Sequence, residues 1–237
     1  MKTKGLFPKI WRWTKRIFLI MFIAQFVYII LLKWINPPIT LTQFFSWITG
    51  HGLKRDYVDR DDISYNAKLA VIASEDQLFV DHSGFDWKSI KKAMKYNEKK
   101  PGRTHGASTI SQQVAKNVFL WQGRDWIRKG LEAYFTFMIE KIWGKKRILE
   151  VYLNVIEMGD GIFGIERAAN IYFSKPAKSL TRQEAAMIAA CLPNPKRYKV
   201  KPPSRYVSWK AGKIMQQMNF LQPDPDIQNV IEKSGKK

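Results

Sequence analysis

The chain has 237 residues, which is enough for one domain of ordinary size with appendages. Lys and Arg outnumber Asp and Glu by 40 to 20, a net charge of +20, so the composition favours an anionic partner: nucleic acid, an anionic lipid surface or a phosphorylated substrate. The single cysteine, Cys191, excludes an internal disulfide, and its Ala-rich surroundings indicate a buried, inert thiol.

The N-terminus combines a basic segment with an apolar run. Residues 1–16 hold six cations and no acid, and "IFLIMFIAQFVYIILL" follows at 17–32, closed by Lys33 and Trp34. This run is shorter than the roughly 20 residues of a typical span, but snorkelling cations and interfacial tryptophans can compensate. A cleaved signal peptide and a buried core helix are the alternatives, yet no small-x-small cleavage site follows and a core helix would not carry a basic flank. We therefore predict a cytoplasmic segment at 1–16 and a transmembrane signal anchor at 17–34, with the remainder facing outward. Because an exported domain rarely meets nucleic acid, the charge then favours lipid head groups or a phosphate-bearing substrate.

The rest of the chain reads as a linker, a helical domain and a tail. The linker, 35–62, includes the amphipathic "LTQFFSWITG", whose Phe44, Phe45 and Trp47 can either lie in the membrane interface or pack onto the domain. From residue 63 onward the hydrophobic pattern is helical, without convincing strand alternation, so the predicted fold class is all-α, with the domain at 63–203 and a C-terminal helix and tail at 204–237. Three helix starts have a capping signal: Ser108-Thr109, Asp125, and the capping box Thr181-x-x-Glu184.

Two adjacent carboxylates, Glu75 and Asp76, end a small apolar run that can form a helix. Paired acids at the edge of an apolar element desolvate each other, so they are candidates for metal ligands, a cap or an acid–base site. His51, His82 and His105 are too scattered for a helix-borne metal pair, and a structural zinc site is not expected.

Two further stretches can carry chemistry. In "GASTISQQVAKN", Gln112 or Gln113 shares a helix face with Lys116, which suits a ligand rich in hydroxyl, amide and phosphate groups, although an ordinary solvated face explains it too. Further on, Arg124, Arg128 and Glu132 follow at i, i+4 steps. They form either an intrahelical ion pair or a carboxylate held among cations beside a phosphate site.

Five motifs in order give the chain a resemblance to the family 51 peptidoglycan glycosyltransferases. They cover about residues 67–203 and read "EDQLFVDHSGFD", "GASTISQQVAKN", "RKGLE", "KKRILEVYLNVIEMGDGIFGIERAANIYF" and "LTRQEAAMIAACLPNP". The chain ends some 35 residues later, so it resembles the members that have no transpeptidase domain.

The resemblance implies a lysozyme-like catalytic lobe and a smaller, membrane-associated jaw lobe. The cleft between the lobes would bind a growing lipid-linked glycan chain as donor and lipid II as acceptor. Val118–Trp121 and Trp126 would belong to the membrane-facing lobe, and the fourth motif, around Tyr152, would be structural. The implied location is the inner membrane, with a periplasmic catalytic domain, and cell-division or elongation proteins would be partners.

The resemblance also implies a role for each motif residue. Glu75 would be the catalytic base, which favours the acid–base reading of the paired carboxylates, and Glu132 would be a second catalytic carboxylate and a possible metal ligand. A divalent cation, Mg²⁺ or Mn²⁺, is expected, and no organic cofactor. The predicted substrate-binding residues are Asp76, Phe79, His82, Ser108, Thr109, Gln112, Gln113, Lys116, Asn117, Arg124 and Arg128. Asp76 would also orient backbone, and His82 would hold the loop that follows.

Two rival functions fit parts of the sequence. A glycan hydrolase on the same fold would use a glutamate as general acid, but it would not need Lys116, Arg124 and Arg128 beside it. A non-catalytic membrane scaffold for cell-wall machinery would need none of these side chains.

Overall fold

The computed structural model describes residues 6–100, 106–123 and 125–232. The chain separates into two compact units, residues up to Asn36 and residues from Pro37 onward. The elements, in chain order, are α1 (Leu6–Leu31), α2 (Leu41–Ile48), β1 (Lys54–Arg55), a 3₁₀ turn (Arg60–Asp62), α3 (Tyr65–Glu75), α4 (Trp87–Lys99), α5 (Ile110–Phe119), α6 (Trp126–Ile142), α7 (Lys145–Val155), β2 (Glu157–Gly159), β3 (Ile162–Phe163), α8 (Ile165–Phe173), a 3₁₀ turn (Ala177–Ser179), α9 (Arg182–Cys191), α10 (Arg205–Leu221) and α11 (Pro225–Ile231).

The first unit contains the long helix α1. Within α1, residues 9–31 are long and apolar enough to cross a membrane, which agrees with the predicted anchor. Its basic end carries two cation–aromatic contacts, Lys15 with Trp11 and Arg16 with Trp13. Such pairs suit a water–lipid boundary, where an aromatic body and a charged tip find different surroundings.

The core of the second unit is built around α3. Ser64 caps this helix by accepting a hydrogen bond from the Ala67 amide, and the small residues Ala70 and Ala73 let α9 and α10 pack closely against it. The predominantly helical architecture confirms the predicted fold class. Cys191, at the end of α9, is buried, and burial raises the pKa of its thiol to about 12, so it is inert as predicted.

A three-stranded sheet departs from the purely helical expectation. Its order is β1–β3–β2, with β1 parallel and β2 antiparallel to β3. Gly164 follows β3 with φ +83°, and a Cβ there would lie 2.6 Å from the Asn154 carbonyl oxygen. Strands of two or three residues are too short to show the alternation by which a strand is predicted from sequence.

The predicted linker and tail are parts of the packed domain, so both boundaries need correction. Within 35–62, the Thr42 hydroxyl donates to Asn117 Oδ1 (3.1 Å), and Asn154 exchanges two hydrogen bonds with the Val58 backbone (2.9 and 3.0 Å). At the other end, α10 packs against α3 and α9, and buried Lys68 donates to the Ile231 carbonyl at the end of α11 (3.1 Å). Sequence composition alone gave no sign of these contacts.

Exposed aromatic side chains occur on several helices, α2 and α6 among them. In α2 the polar Gln43 and Ser46 are buried whereas Phe44, Phe45 and Trp47 are exposed, which argues against the packing alternative for these aromatics. In α6, Trp126 is 91% exposed. Of the predicted membrane-facing run at 118–121, Trp121 is partly exposed, but Val118 and Leu120 are buried in the core.

Candidate active site

Glu75 is the last residue of α3, and its carboxylate accepts hydrogen bonds from two side chains. Gln113 Nε2 donates to Oε2 (3.0 Å) and the Ser74 hydroxyl lies 3.1 Å from Oε1. Burial raises the pKa of Glu75, while the Gln113 and Ser74 hydrogen bonds and the charge of Lys210 act in the opposite direction. A carboxyl group with a raised pKa can accept a proton more readily than an ordinary glutamate.

Gln113 reaches Glu75 because α5 begins at a fixed point. Thr109 and Gln112 form a capping box, and the Thr109 hydroxyl also donates to the Gly84 carbonyl (2.7 Å). Asp76 Oδ2 accepts from the amide of Ile110, the first residue of the helix (2.9 Å). The residue beside Glu75 therefore sets the position of the helix that supplies Gln113.

His82 completes this scaffold. The Gly84 amide donates to His82 Nδ1 (3.2 Å), so Nε2 carries the hydrogen and donates to Asp76 Oδ1 (3.0 Å). The expectations that Asp76 orients backbone and that His82 holds the following loop agree with these contacts.

The predicted substrate-binding residues near Glu75 differ in how deeply they are buried. Phe79 is fully buried beneath Lys145, whose Nζ lies 4.5 Å from the ring centroid, so its assignment to substrate binding is corrected to a core position. Asp76, His82 and Thr109 are largely buried and act on neighbouring backbone. These hydrogen bonds support the site, and Asp76 and Thr109 also line a cavity beside Glu75, so their assignment to substrate binding stays a prediction.

Glu75 opens into a cleft of about 640 Å³. Most of the predicted site residues line it, namely Glu75, Ser108, Gln112, Gln113, Lys116, Asn117 and Glu132. Thus residues from α3, α5 and α6, which are distant in sequence, meet around one space. A second cavity of about 530 Å³ also contains Glu75, together with Asp86, Ser89 and residues 106–109. Glu75 and Ser108 therefore lie where the two cavities meet.

Glu132 is buried in the wall of the larger cavity and is paired with cations of its own helix. Arg128 Nη1 lies 2.6 Å from Glu132 Oε2, and Lys129 Nζ bonds to Oε1. The intrahelical ion pair predicted from spacing is confirmed, and Arg128 itself is buried behind Glu132 rather than in the cavity lining. Arg124, predicted to bind pyrophosphate, lies outside the described residues.

The residues at 6–100, 106–123 and 125–232 contain no cluster of three or more His, Cys, Asp or Glu side chains that could hold a metal ion. Mg²⁺, however, is often held by one or two carboxylates together with substrate phosphates. Glu132 fits such a shared site, but not a site built from protein ligands alone.

Several lining residues were missed by sequence reasoning. Thr42, Phe45 and Ser46 come from α2, which was read as linker, and Lys196 comes from the loop after the fifth motif. The basic loop "NPKRYK" was the available signal for Lys196, whereas nothing in the sequence connected α2 with Glu75.

A desolvated carboxylate between two cavities, with Lys116 and Lys196 in the larger one, defines an acid–base enzyme for an anionic substrate.

Comparisons with known sequences identify the family to which this enzyme belongs. The transglycosylase family profile matches residues 42–219. The biosynthetic peptidoglycan transglycosylase of Mannheimia succiniciproducens is 60% identical over 166 residues, which cover 70% of this chain and 68% of that protein. Proteins of the same name from Escherichia coli and Shigella boydii are each 54% identical over 189 residues, covering 78% of this chain and 78% of each relative. The chain belongs to the transglycosylase family.

Proposed function

We propose that this chain is a peptidoglycan glycosyltransferase that transfers a growing lipid-pyrophosphate-linked glycan chain onto the 4-hydroxyl of lipid II. The observation that carries the proposal is the position of Glu75, a hydrogen-bonded carboxylate at the junction of two cavities of similar size. A polymerase that joins two large glycolipids needs such a junction, with a base where donor and acceptor meet.

The reaction follows from this arrangement. The donor occupies the larger cavity and the acceptor the smaller one. The acceptor hydroxyl attacks the anomeric carbon of the donor while its proton passes to Glu75, and the bond from that carbon to the pyrophosphate oxygen breaks. The electron pair leaves with undecaprenyl pyrophosphate. A single displacement inverts the anomeric centre, so an α-linked donor gives a β-linked polymer and no covalent enzyme intermediate is needed.

The leaving pyrophosphate accumulates negative charge, and the larger cavity supplies the cations that stabilise it. Lys116 and Lys196 line the cavity, and the Arg128–Glu132–Lys129 group lies in and behind its wall. A divalent cation, Mg²⁺ or Mn²⁺, would be held by Glu132 together with pyrophosphate oxygens, where it would neutralise charge on the leaving group.

A glycan hydrolase is the strongest alternative. It would protonate a sugar oxygen and would need a water-accessible acid, but it would have no use for cations around a leaving anion. Lys116 lies on α5 and Lys196 in the loop after α9, yet both line the same cavity as Glu75. This convergence favours pyrophosphate as the leaving group.

Incubation with lipid II tests the function directly. The wild-type protein should yield long glycan chains, and Lys116→Ala should lower the rate about 10- to 150-fold, because a charge-assisted hydrogen bond contributes about 1.5–3 kcal/mol. The exposed Lys146, on α7, provides a matched control, and Lys146→Ala should retain the wild-type rate. Digestion of preformed peptidoglycan without polymer formation would instead support a hydrolase, and equal rates for both variants would reduce Lys116 to a solvated cation.

The membrane orientation is a second part of the proposal. Residues 1–16 are basic and α1 can span a bilayer, so the N-terminus is cytoplasmic and the domain is periplasmic, on the outer side of the inner membrane. The exposed aromatics of α2 and α6 would then contact the lipid from which both substrates enter. A phosphatase reporter that requires the periplasm, fused after Lys237, should be active, while a reporter that functions only in the cytoplasm should be silent. The reverse result would refute the orientation.

A further inference from the structure

Gln113, which donates to Glu75, also accepts a hydrogen bond that the proposed reaction does not use directly. The Tyr152 hydroxyl, on α7, donates to Gln113 Oε1 (3.1 Å), and Gln113 Nε2 in turn donates to Glu75 Oε2 (3.0 Å). Tyr152 is completely buried and does not line the cavity that contains Glu75 and Gln113. In the described part of the chain, the hydrogen-bonded route from Tyr152 to Glu75 runs through Gln113.

A glutamine side chain can present either end to a neighbour. With Nε2 toward Glu75 it donates to the ionised carboxylate, whereas with Oε1 toward Glu75 it can accept only from the protonated acid. A phenol has a single hydrogen to donate. Burial, followed by the charge of Glu75, raises the pKa of Tyr152, so its hydroxyl keeps that hydrogen and remains a donor.

We infer that Tyr152 is a positioning residue for the proposed glycosyl transfer: by donating to Gln113 Oε1, it fixes the amide with Nε2 toward Glu75. The inference rests on the proposed function of Glu75 as base. A turned amide would leave the buried phenol hydrogen without its acceptor, and an unpaired buried donor is costly. Tyr152 thus favours the amide orientation that supports the ionised, proton-accepting form of Glu75.

Other groups also face Glu75, and of these only Gln113 is described with a hydrogen bond to the Tyr152 hydroxyl. The groups that face it from the surrounding elements are Ser74 and Asp76 at the end of α3, Gln113 on α5, Cys191 on α9, and Tyr206 and Lys210 on α10. The Ser74 hydroxyl has one hydrogen for two acceptors, Glu75 Oε1 (3.1 Å) and the Ala189 carbonyl (3.3 Å), so it can adapt to either state of the carboxyl group. Gln113 has no such freedom while Tyr152 holds it.

Tyr152→Phe removes only the hydroxyl and keeps the ring in the core. Without it, Gln113 Oε1 is left unpaired when Glu75 is ionised but can accept from Glu75 when it is protonated, so the protonated form is favoured. The acidic limb of the pH–rate profile for lipid II polymerisation should move to higher pH by about 0.5–1 unit, the equivalent of one ordinary hydrogen bond. At pH values above the shifted limb the rate and KM should stay within about threefold of wild type.

Tyr172→Phe is the matched control. Tyr172 also belongs to the fourth motif and its hydroxyl donates to the Met158 carbonyl (3.0 Å), a hydrogen bond that involves neither Glu75 nor Gln113. This variant should unfold at a lower temperature without moving the acidic limb. If Tyr172→Phe produced the same shift, the effect of Tyr152→Phe would be one of general packing and the inference would be wrong.

A double-mutant cycle tests the route through Gln113. In a Gln113→Ala background, Tyr152→Phe should no longer move the limb, because the intermediate amide is gone. A shift that persists there, or a folded Tyr152→Phe protein with an unchanged limb, would overturn the inference. The ¹³C shift of the Glu75 carboxyl, titrated in the full-length protein without substrate and assigned with Glu75→Gln, measures the same change independently of polymerisation. A titration shift without any polymer from the wild type would thus support the hydrogen-bond relay and reject the proposed function.

Discussion

Replacing Glu75 by Gln should lower the initial rate of lipid II polymerisation by roughly 10² to 10⁴, the usual contribution of one general base. The substitution preserves shape, and the new amide oxygen can still accept a hydrogen bond from Gln113, which lies 3.0 Å from the present carboxylate. It cannot accept the proton of the attacking hydroxyl. Lipid II binding should therefore survive while turnover is lost.

The pH dependence gives this prediction a second readout. Since burial raises the pKa of Glu75, the wild-type rate should fall as the pH drops through a midpoint above the ordinary value for glutamate. The residual activity of Glu75→Gln should lack that acidic limb, because the titrating base is absent. The measurements are initial rate against pH, and lipid II binding, for both proteins. A variant that kept more than about a tenth of the wild-type rate, far above the loss expected for a missing base, would move the search for the base to Glu132.

Much of the local structure was predictable because short-range chemistry determines it. Thr109, Asp125 and Thr181 each cap the predicted helix, since a side-chain oxygen placed before an apolar helical pattern satisfies amides that have no partner within the helix. The length and apolar composition of α1 likewise predict a helix that can cross a membrane. These features depend on neighbours within a few residues, which the sequence displays directly.

The convergence on Glu75 was predictable only through the resemblance to a family. No spacing rule connects α3 with α5, which lie more than thirty residues apart and meet through the Asp76 contact to the Ile110 amide. The assignment of Phe79 to the substrate shows the limit of such transfer. Its motif position is adjacent to the site in sequence, but the turn after α3 directs the ring into the core.

The contribution of α2 and of Tyr152 could not be predicted because both depend on tertiary packing. The exposed aromatics of α2 resemble an ordinary amphipathic pattern until Gln43 is seen to be buried and Thr42 to contact Asn117. The resemblance gives Tyr152 a structural role as part of the fourth motif, and only its 3.1 Å contact with Gln113 connects it to Glu75. Hydrogen bonds between side chains on different helices leave no periodic signature in a single sequence.

The burial of Glu132, unlike that of Glu75, can be explained without a catalytic role. Arg128 lies four residues earlier on the same helix and pairs with its carboxylate. Its two carboxylate oxygens are each bonded to a cation of the same helix, Arg128 and Lys129. In a purely structural role, Glu132 would only balance the charges of Arg128 and Lys129 within the folded protein. A functional role requires that Glu132, which lines the cavity beside Lys116, also orders charge at the leaving pyrophosphate.

Glu140 offers the matched control for separating these roles. It lies two turns further along α6, is also buried, and is also paired with a lysine, Lys145 (2.7 Å), but it does not line the cavity. Glu140→Gln should therefore lower the free energy of unfolding, as expected when one member of a buried charged pair is lost, and leave the dependence of the rate on Mg²⁺ unchanged.

Glu132→Gln, unlike that control, should change both the polymerisation rate and its dependence on Mg²⁺. Loss of a charge-assisted contact should slow polymerisation about 10- to 150-fold, corresponding to about 1.5–3 kcal/mol, and half-maximal activity should require more Mg²⁺ than in the wild type. Pyrophosphate, used alone as a competing ligand, should bind more weakly to this variant, because Arg128 and Lys129 would lose the carboxylate that holds them in place. The measurements are initial rate against Mg²⁺ concentration, pyrophosphate affinity by calorimetry, and thermal unfolding of both variants. If Glu132→Gln and Glu140→Gln lose stability equally and show the same Mg²⁺ dependence as the wild type, Glu132 is a structural ion-pair partner. The cations of the cavity wall would then be ordered by the protein alone, and Lys116 and Lys196 would remain as the groups that meet the leaving pyrophosphate.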